Sequence, residues 1–258
     1  RPCGTCEYCR EYHSPLESLK RFFHPFDAFR PVLEGPPPVS QQDVVEAILE
    51  GRDCLVVLPT GGGKSLCYQL PALMQARQRN LLTLIISPLQ SLMKDQVDAL
   101  ARRGIPNVGA LNGLLSVFER AETHEKVALG DIDILWVAPE QMRNRSFRDT
   151  LSQREIGLVV VDEAHCLSKW GHDFRPDYLF LCSFLKEVLG ETASLPPIAC
   201  FTATAKLDVI EEIRTYFRQE AGKEMHLFIG TAERKNLRFH VHGLDTKNGR
   251  DANPDGYN

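Results

Sequence analysis

Seven residues, Pro59-Thr60-Gly61-Gly62-Gly63-Lys64-Ser65, constrain what this chain can fold into more than any other stretch. They lie between an apolar run of strand length, Cys54 to Leu58, and a stretch with helical spacing from Lys64 to Gln75. Consecutive glycines let the backbone fold into a nest with its N–H groups turned inward, and the following helix adds the positive end of its dipole, so the unit binds phosphate. Thr60, Gly61, Gly62 and Gly63 form the cradle, Lys64 reaches the β and γ phosphates, and the Ser65 hydroxyl is placed for Mg²⁺. The strict Gly-x4-Gly-Lys-Ser pattern needs glycine at position 58, where Leu58 stands, so the loop is the Thr-Gly-x-Gly-Lys-Ser variant. A glycine-rich turn that merely precedes a lysine is the bland alternative, and the strand before and helix after count against it.

The rest of the chain supplies the sheet that such a unit needs. Apolar runs recur at Leu81 to Ile86, Ile132 to Val137, Leu158 to Val161, Ile198 to Phe201 and Leu227 to Ile229, most of them too short and too β-branched for helices. Between them Leu89, Leu92, Met93, Val97 and Leu100, and later Leu207, Ile210, Ile213 and Phe217, follow steps of three or four. Strands alternating with helices predict an α/β fold, a mostly parallel sheet with helices on both faces. With 43% apolar and 25% charged residues, disorder throughout is excluded. No apolar run approaches the roughly 18 residues of a membrane span, and the Arg-Pro-Cys-Gly-Thr-Cys start is unlike a signal peptide. Thirty Lys and Arg against 34 Asp and Glu give a net charge of −4, so any nucleic-acid binding must use local patches. Cys54, Cys67, Cys166, Cys182 and Cys200 are scattered in the manner of reduced thiols, which predicts an intracellular protein.

A nucleotide site also needs carboxylates at a strand's end. The run Leu158 to Val161 closes on Asp162-Glu163-Ala164-His165. Asp162 suits the role of holding Mg²⁺ through water, and Glu163 that of orienting and deprotonating the attacking water. His165 is either a structural hydrogen-bonder or a relay to the next strand end, Phe201-Thr202-Ala203-Thr204-Ala205. There Thr202 and Thr204 offer hydroxyls between small residues, although such a strand end alone is common.

Four stretches together resemble the RecQ family of DNA helicases, within helicase superfamily 2: Thr60 to Pro71, Ser87 to Val97, Val161 to Tyr178 and Phe201 to Ala205. The string Trp-Gly-His-Asp-Phe-Arg-Pro from Trp170 is the most discriminating. The resemblance runs from about Leu19 to Arg238 and implies a RecA-like, P-loop NTPase lobe that uses ATP and Mg²⁺. It implies a single-strand track at Ser87, Pro88, Gln90, Ser91 and Lys94, and a loop coupling DNA to hydrolysis at Trp170, His172, Phe174 and Arg175. Flat aromatic faces can stack unpaired bases at about 1 to 3 kcal/mol per base. Val137 to Gln141 resembles a further DNA-side motif; Arg143, Arg145 and Arg148 beyond it read equally well as track or as a solvated helix face. The implied activity is 3′ to 5′ unwinding of single-stranded and forked DNA in repair and recombination, in nucleoid or nucleus. An RNA-remodelling ATPase and a non-catalytic nucleic-acid-binding lobe are the alternatives.

The same resemblance places an adenine site at Phe26, Arg30 and Gln41. Ten residues separate Arg30 from Gln41 where the family has a short spacer, so 32–40 reads as an insertion around Pro36-Pro37-Pro38 that can bulge outward and leave both ends in place. Upstream, Cys3, Cys6 and Cys9 have metal-ligand spacing, with His13 or a residue before the chain as the fourth ligand of a zinc ion; an iron–sulfur cluster and plain surface thiols are the other readings. The organisation expected is a cysteine segment or linker at 1–14, the ATP-binding lobe at 15–245 and a polar tail at 246–258. A helicase needs a second such lobe, and 258 residues are one lobe short.

Overall fold

The computed structural model describes residues 6–30, 39–169, 173–190, 194–203 and 206–230, without the side chains of 10 and 11. Its centre is a seven-stranded sheet, all parallel, built from β1 (Cys54–Val57), β2 (Leu82–Ile86), β3 (Val108–Leu111), β4 (Ile134–Val137), β5 (Ile156–Val161), β6 (Ile198–Thr202) and β7 (His226–Ile229). The spatial order is β3-β4-β2-β5-β6-β1-β7.

Strand residues point alternately to the two faces, and each face has its own core. Leu55, Val57, Leu84, Ile86, Val159, Val161 and Cys200 pack with α6 (Val117–Leu129), α7 (Arg145–Leu151), α8 (Leu181–Leu189) and α9 (Leu207–Ala221). Cys54, Val56, Ile85, Val160 and Phe201 pack with α2 (Pro15–Phe22), α3 (Gln41–Leu49), α4 (Lys64–Arg79) and α5 (Gln90–Arg102). Burial on both faces explains why these strands read as unbroken apolar runs. A short α1 (Glu7–His13) lies outside this layer, where Gln78 of α4 donates to the Tyr12 carbonyl.

Local signals set the helix ends. Ser40 with Asp43 and Ser116 with Glu119 form reciprocal capping boxes at the starts of α3 and α6. α2 stops at Phe22, with Phe23 as its C-cap, just ahead of Pro25, whose preceding residue is disfavoured in the helical region. The edge strand β3, Val-Gly-Ala-Leu, has too few bulky residues to be read as a strand from sequence, and six strands rather than seven were legible. None of the helices in the described residues is long and apolar enough to cross a membrane.

The order places β5, β6 and β1 side by side, with β2 next to β5. All run the same way, so the residues that follow them meet along one edge. In open parallel sheets that carboxyl edge is where ligands bind.

Candidate nucleotide and strand site

The glycine loop leaves β1 through Leu58, whose N–H donates to the Thr202 carbonyl at 3.0 Å. Gly61 and Gly63 both stand at φ 80°, which side chains resist, and Gly63 is the N-cap of α4. A Cβ at Gly63 would fall on the Gln41 amide. Lys64 Nζ donates to the Leu58 carbonyl at 3.3 Å, folding the ammonium back over the loop. Tyr68 of α4 is buried, and burial, then the Asp162 charge, drives its phenol well above its ordinary pKa. Tyr68 was not singled out from sequence; its place one turn after Ser65 was the available signal.

Asp162 emerges from β5 with its N–H donated to the Ile86 carbonyl at 2.9 Å. The side chain is 5% exposed, and burial, then the neighbouring Glu163 charge, pushes its carboxyl up to about 6. Glu163 takes φ 49°, an uncommon backbone conformation for a non-glycine residue, and its N–H donates to Asp162 Oδ1 at 3.0 Å. His165 Nδ1 sits 3.3 Å from Glu163 Oε2 and 3.2 Å from Thr202 Oγ1. Hydrogen bonding with His165 holds Glu163 below its ordinary value, while Cys166 and Glu163 push His165 up to about 10. Tyr178, also missed from sequence, donates its hydroxyl to the Asp162 carbonyl at 3.0 Å from a buried position.

These residues suit a magnesium nucleotide. Mg²⁺ keeps several waters and takes few protein ligands together with substrate phosphates. Ser65 and Asp162 match that sparse set, and the buried Asp162 carboxylate at the strand end is the kind of oxygen donor Mg²⁺ takes. No group of three or more His, Cys, Asp or Glu side chains capable of caging a metal occurs among the described residues.

On the track side the residues divide. Ser91 and Lys94 are exposed on the first turns of α5, and Gln90 Nε2 donates to Glu140 Oε1 at 3.4 Å. Ser87 sits otherwise than expected of a strand contact: it is 1% exposed, and its hydroxyl lies close enough to temper Asp162 without completing a hydrogen bond of good geometry. Pro88 is buried too, and its carbonyl accepts from Arg175 Nη1 at 3.1 Å. Arg175 also meets Asp173 Oδ2 at 3.2 Å, and its N–H donates to the Cys166 carbonyl at 3.0 Å. It thus staples the segment after the carboxylates to the start of the track. Phe174 is half-buried. Trp170, His172 and Thr204 lie outside the described residues, as does Cys3.

Two of the arginines have carboxylate partners within the lobe. Arg143 Nε donates to Asp177 Oδ1 at 2.6 Å, Arg148 pairs with Glu187, and both guanidiniums lie over the Phe180 ring. They bind the 139–151 segment to α8 and its approach.

At the adenine end, Arg30 and Gln41 come together across the intervening residues. The Arg30 N–H donates to Gln41 Oε1 at 3.0 Å, Gln41 Nε2 donates to the Gly62 carbonyl at 3.1 Å, and the Arg30 guanidinium donates to the Gly61 carbonyl. Phe26 has other company: its N–H donates to the Phe23 carbonyl, and Arg103, just past the end of α5, stands 5.8 Å from its ring. Cys6 caps α1, its Sγ accepting from the Cys9 N–H at 3.3 Å, with His13 at the far end of that helix.

Comparison with known proteins fits this geometry. The profile of the family described as DEAD/DEAH box helicase matches residues 38–213. The chain belongs to that family. Among curated relatives of this DEAD/DEAH box lobe, the ATP-dependent DNA helicase RecQ of Haemophilus influenzae is 41% identical over 202 residues, 78% of this chain and 30% of that protein. The probable ATP-dependent DNA helicase RecS of Bacillus subtilis is 40% identical over 198 residues, 77% and 37% respectively. The resemblance to RecQ helicases is borne out, and the chain spans about a third of the length of these relatives. Among solved structures, the helicase Mss116 bound to single-stranded RNA and UDP-BeF aligns with TM-score 0.60 at 20% identity, covering 76% of this chain and 40% of that one. The DUF1998 helicase MrfA bound to DNA aligns at 0.59 and 19%, covering 74% and 25%. Both show the shared RecA-like fold.

Proposed function

We propose that this lobe binds Mg·ATP and, with a second lobe, couples its hydrolysis to 3′ to 5′ movement along single-stranded DNA and the opening of forked duplexes in repair and recombination. The observation that carries the reading is the meeting of the glycine loop, the Asp162–His165 segment and Thr202 on three adjacent strand ends, with Arg175 joining that segment to the track.

In this mechanism the phosphates enter the loop and Lys64 exchanges the Leu58 carbonyl for them. Glu163, held ionised by His165, orients the attacking water and accepts its proton. Bound at Ser65 and Asp162, Mg²⁺ would neutralise phosphate charge. His165, bonded to both Glu163 and Thr202, passes the state of the site to β6. Ser91 and Lys94 meet the strand's phosphates, and Phe174 and Trp170 its bases. A zinc ion at Cys3, Cys6, Cys9 and His13 gains no support from the described residues, which do not include Cys3; zinc in protein purified without chelators would support that site.

The test is DNA-stimulated ATP turnover in the full-length protein against Lys64→Ala and Glu163→Gln. Turnover in Glu163→Gln falls by about 10² to 10⁴ while nucleotide still binds. Wild-type-like turnover in that variant would remove Glu163 from the chemistry. Stimulation by single-stranded RNA in place of DNA would move the protein to the RNA-remodelling class.

A further inference from the structure

The segment after the carboxylates is attached to the β6–α9 unit at two points, and the second has no role in the reading above. The first is His165 on Thr202, at the end of β6. The second is Glu212, in the second turn of α9: its Oε2 accepts from Ser168 Oγ at 2.6 Å and from the Lys169 N–H at 3.1 Å. Ser168 is fully buried, and Lys169 directly precedes Trp170 in the sequence.

One carboxylate oxygen thus holds two consecutive residues, and it does so from a helix, not a loop. A body held at one point can pivot, whereas one held at two moves with its partner. Only Cys166 and Leu167 of the short turn Ala164–Leu167 lie between the attachments, so a shift of β6 and α9 carries this turn with it instead of shearing past. The bonds are also strong for their kind, since an ionised acceptor shortens and strengthens them and one donor is buried away from competing water. The other end of the segment is fixed separately, by Arg175 on the Pro88 carbonyl.

We propose that Glu212 is a positioning residue that locks α9 to Ser168 and Lys169, so that changes at the nucleotide reach the strand-binding side. It touches neither nucleotide nor strand. The inference rests on the proposed coupling of hydrolysis to single-stranded DNA and names the device that performs it.

The experiment measures ATP turnover of the full-length protein with and without a single-stranded oligonucleotide, for wild type, Glu212→Ala, Glu212→Gln and Ser168→Ala, each with a thermal melt. In Glu212→Ala the ratio of stimulated to unstimulated turnover falls about five- to thirtyfold, while unstimulated turnover stays within about twofold. Glu212→Gln recovers much of the ratio, because an amide oxygen still accepts both bonds. Ser168→Ala loses part of it, because the Lys169 N–H bond survives. If Glu212→Ala does not fold, the Gln and Ser168 variants carry the test. A wild-type ratio in both Glu212→Ala and Ser168→Ala overturns the proposal, as does a parallel fall of stimulated and unstimulated turnover. Wild type that oligonucleotide fails to stimulate overturns the functional reading itself, and this inference with it.

Discussion

At the scale of single residues, protonation is set by which bonds are already taken. His124 is the clearest case away from the site. Thr150 Oγ1 donates its only proton to the Ser146 carbonyl at 2.9 Å, so at 2.8 Å it must accept the N–H of His124 Nδ1. Nε2 is then the bare nitrogen, and it is buried with no partner among the described residues. Protonating it would create a buried N–H⁺ with no acceptor, and burial, aided by the Arg120 charge, lowers the His124 pKa. The folded pKa lies below the unfolded one, so the unfolded chain takes up the proton first. The stability contributed by neutral His124 is complete above the ordinary histidine pKa and is lost as pH falls through the folded value. Raised carboxyl and imidazole pKa values at Asp162 and His165 act in the opposite sense, so the effect is read as a difference: in thermal melts His124→Phe, which keeps the ring against Phe147, should gain stability relative to wild type as pH drops from 7 toward 5. Equal slopes would exclude His124 as the source.

At the scale of elements, the sequence was most legible where chemistry and periodicity coincide. The glycine run with its flanking strand and helix, and Asp162 at a strand end, could be placed because few other structures tolerate those residues. What escaped were residues whose role depends on what folds against them. Ser87 stands in a motif shared with strand-binding proteins, yet the β2–β5 pairing turns it to Asp162. Arg143 and Arg148 read in sequence equally as a track or a solvated helix face, and only the folding of α8 and the turn before it supplies Glu187 and Asp177 as partners. Gln41 lies eleven positions from Arg30, and no periodicity predicts that its amide spans the Arg30 N–H and the Gly62 carbonyl. Because those ends already meet, the residues between them are dispensable for nucleotide binding. Deleting 32–38 should change ATP affinity by no more than about threefold, since loop length costs little once the ends are fixed. Gln41→Ala should instead weaken ATP binding and erase the preference for ATP over GTP, both read by titration. Unchanged selectivity would leave Gln41 as a strut of the glycine loop alone.

At the scale of the whole molecule, the net charge of −4 and the parallel sheet impose a division of labour between the two ends of the strands. The residues proposed to meet nucleotide or strand collect at the carboxyl edge, where the uncommon φ of Glu163 and the raised pKa of Asp162 are found. Stability has to come from elsewhere, and the amino edge supplies some of it. There Asp53, just before β1, accepts from Lys223 Nζ at 2.8 Å and from the Ile198 N–H at 2.8 Å, joining the starts of β1 and β6 to the turn after α9. Its own carbonyl accepts from the His226 N–H at 2.7 Å, adding β7. Both charged side chains are about 15% exposed, so water does little to replace a lost partner. Asp53→Ala leaves an ammonium and a backbone N–H unpaired and should destabilise the lobe by about 2 to 4 kcal/mol. Urea unfolding would read that loss as a lower midpoint. Nucleotide affinity, measured well below the new midpoint, should stay at the wild-type value, because the sheet's length separates Asp53 from the glycine loop. A matching loss of affinity would mean that the two edges are mechanically continuous, and that stability at the amino edge is itself part of how the phosphate cradle is held.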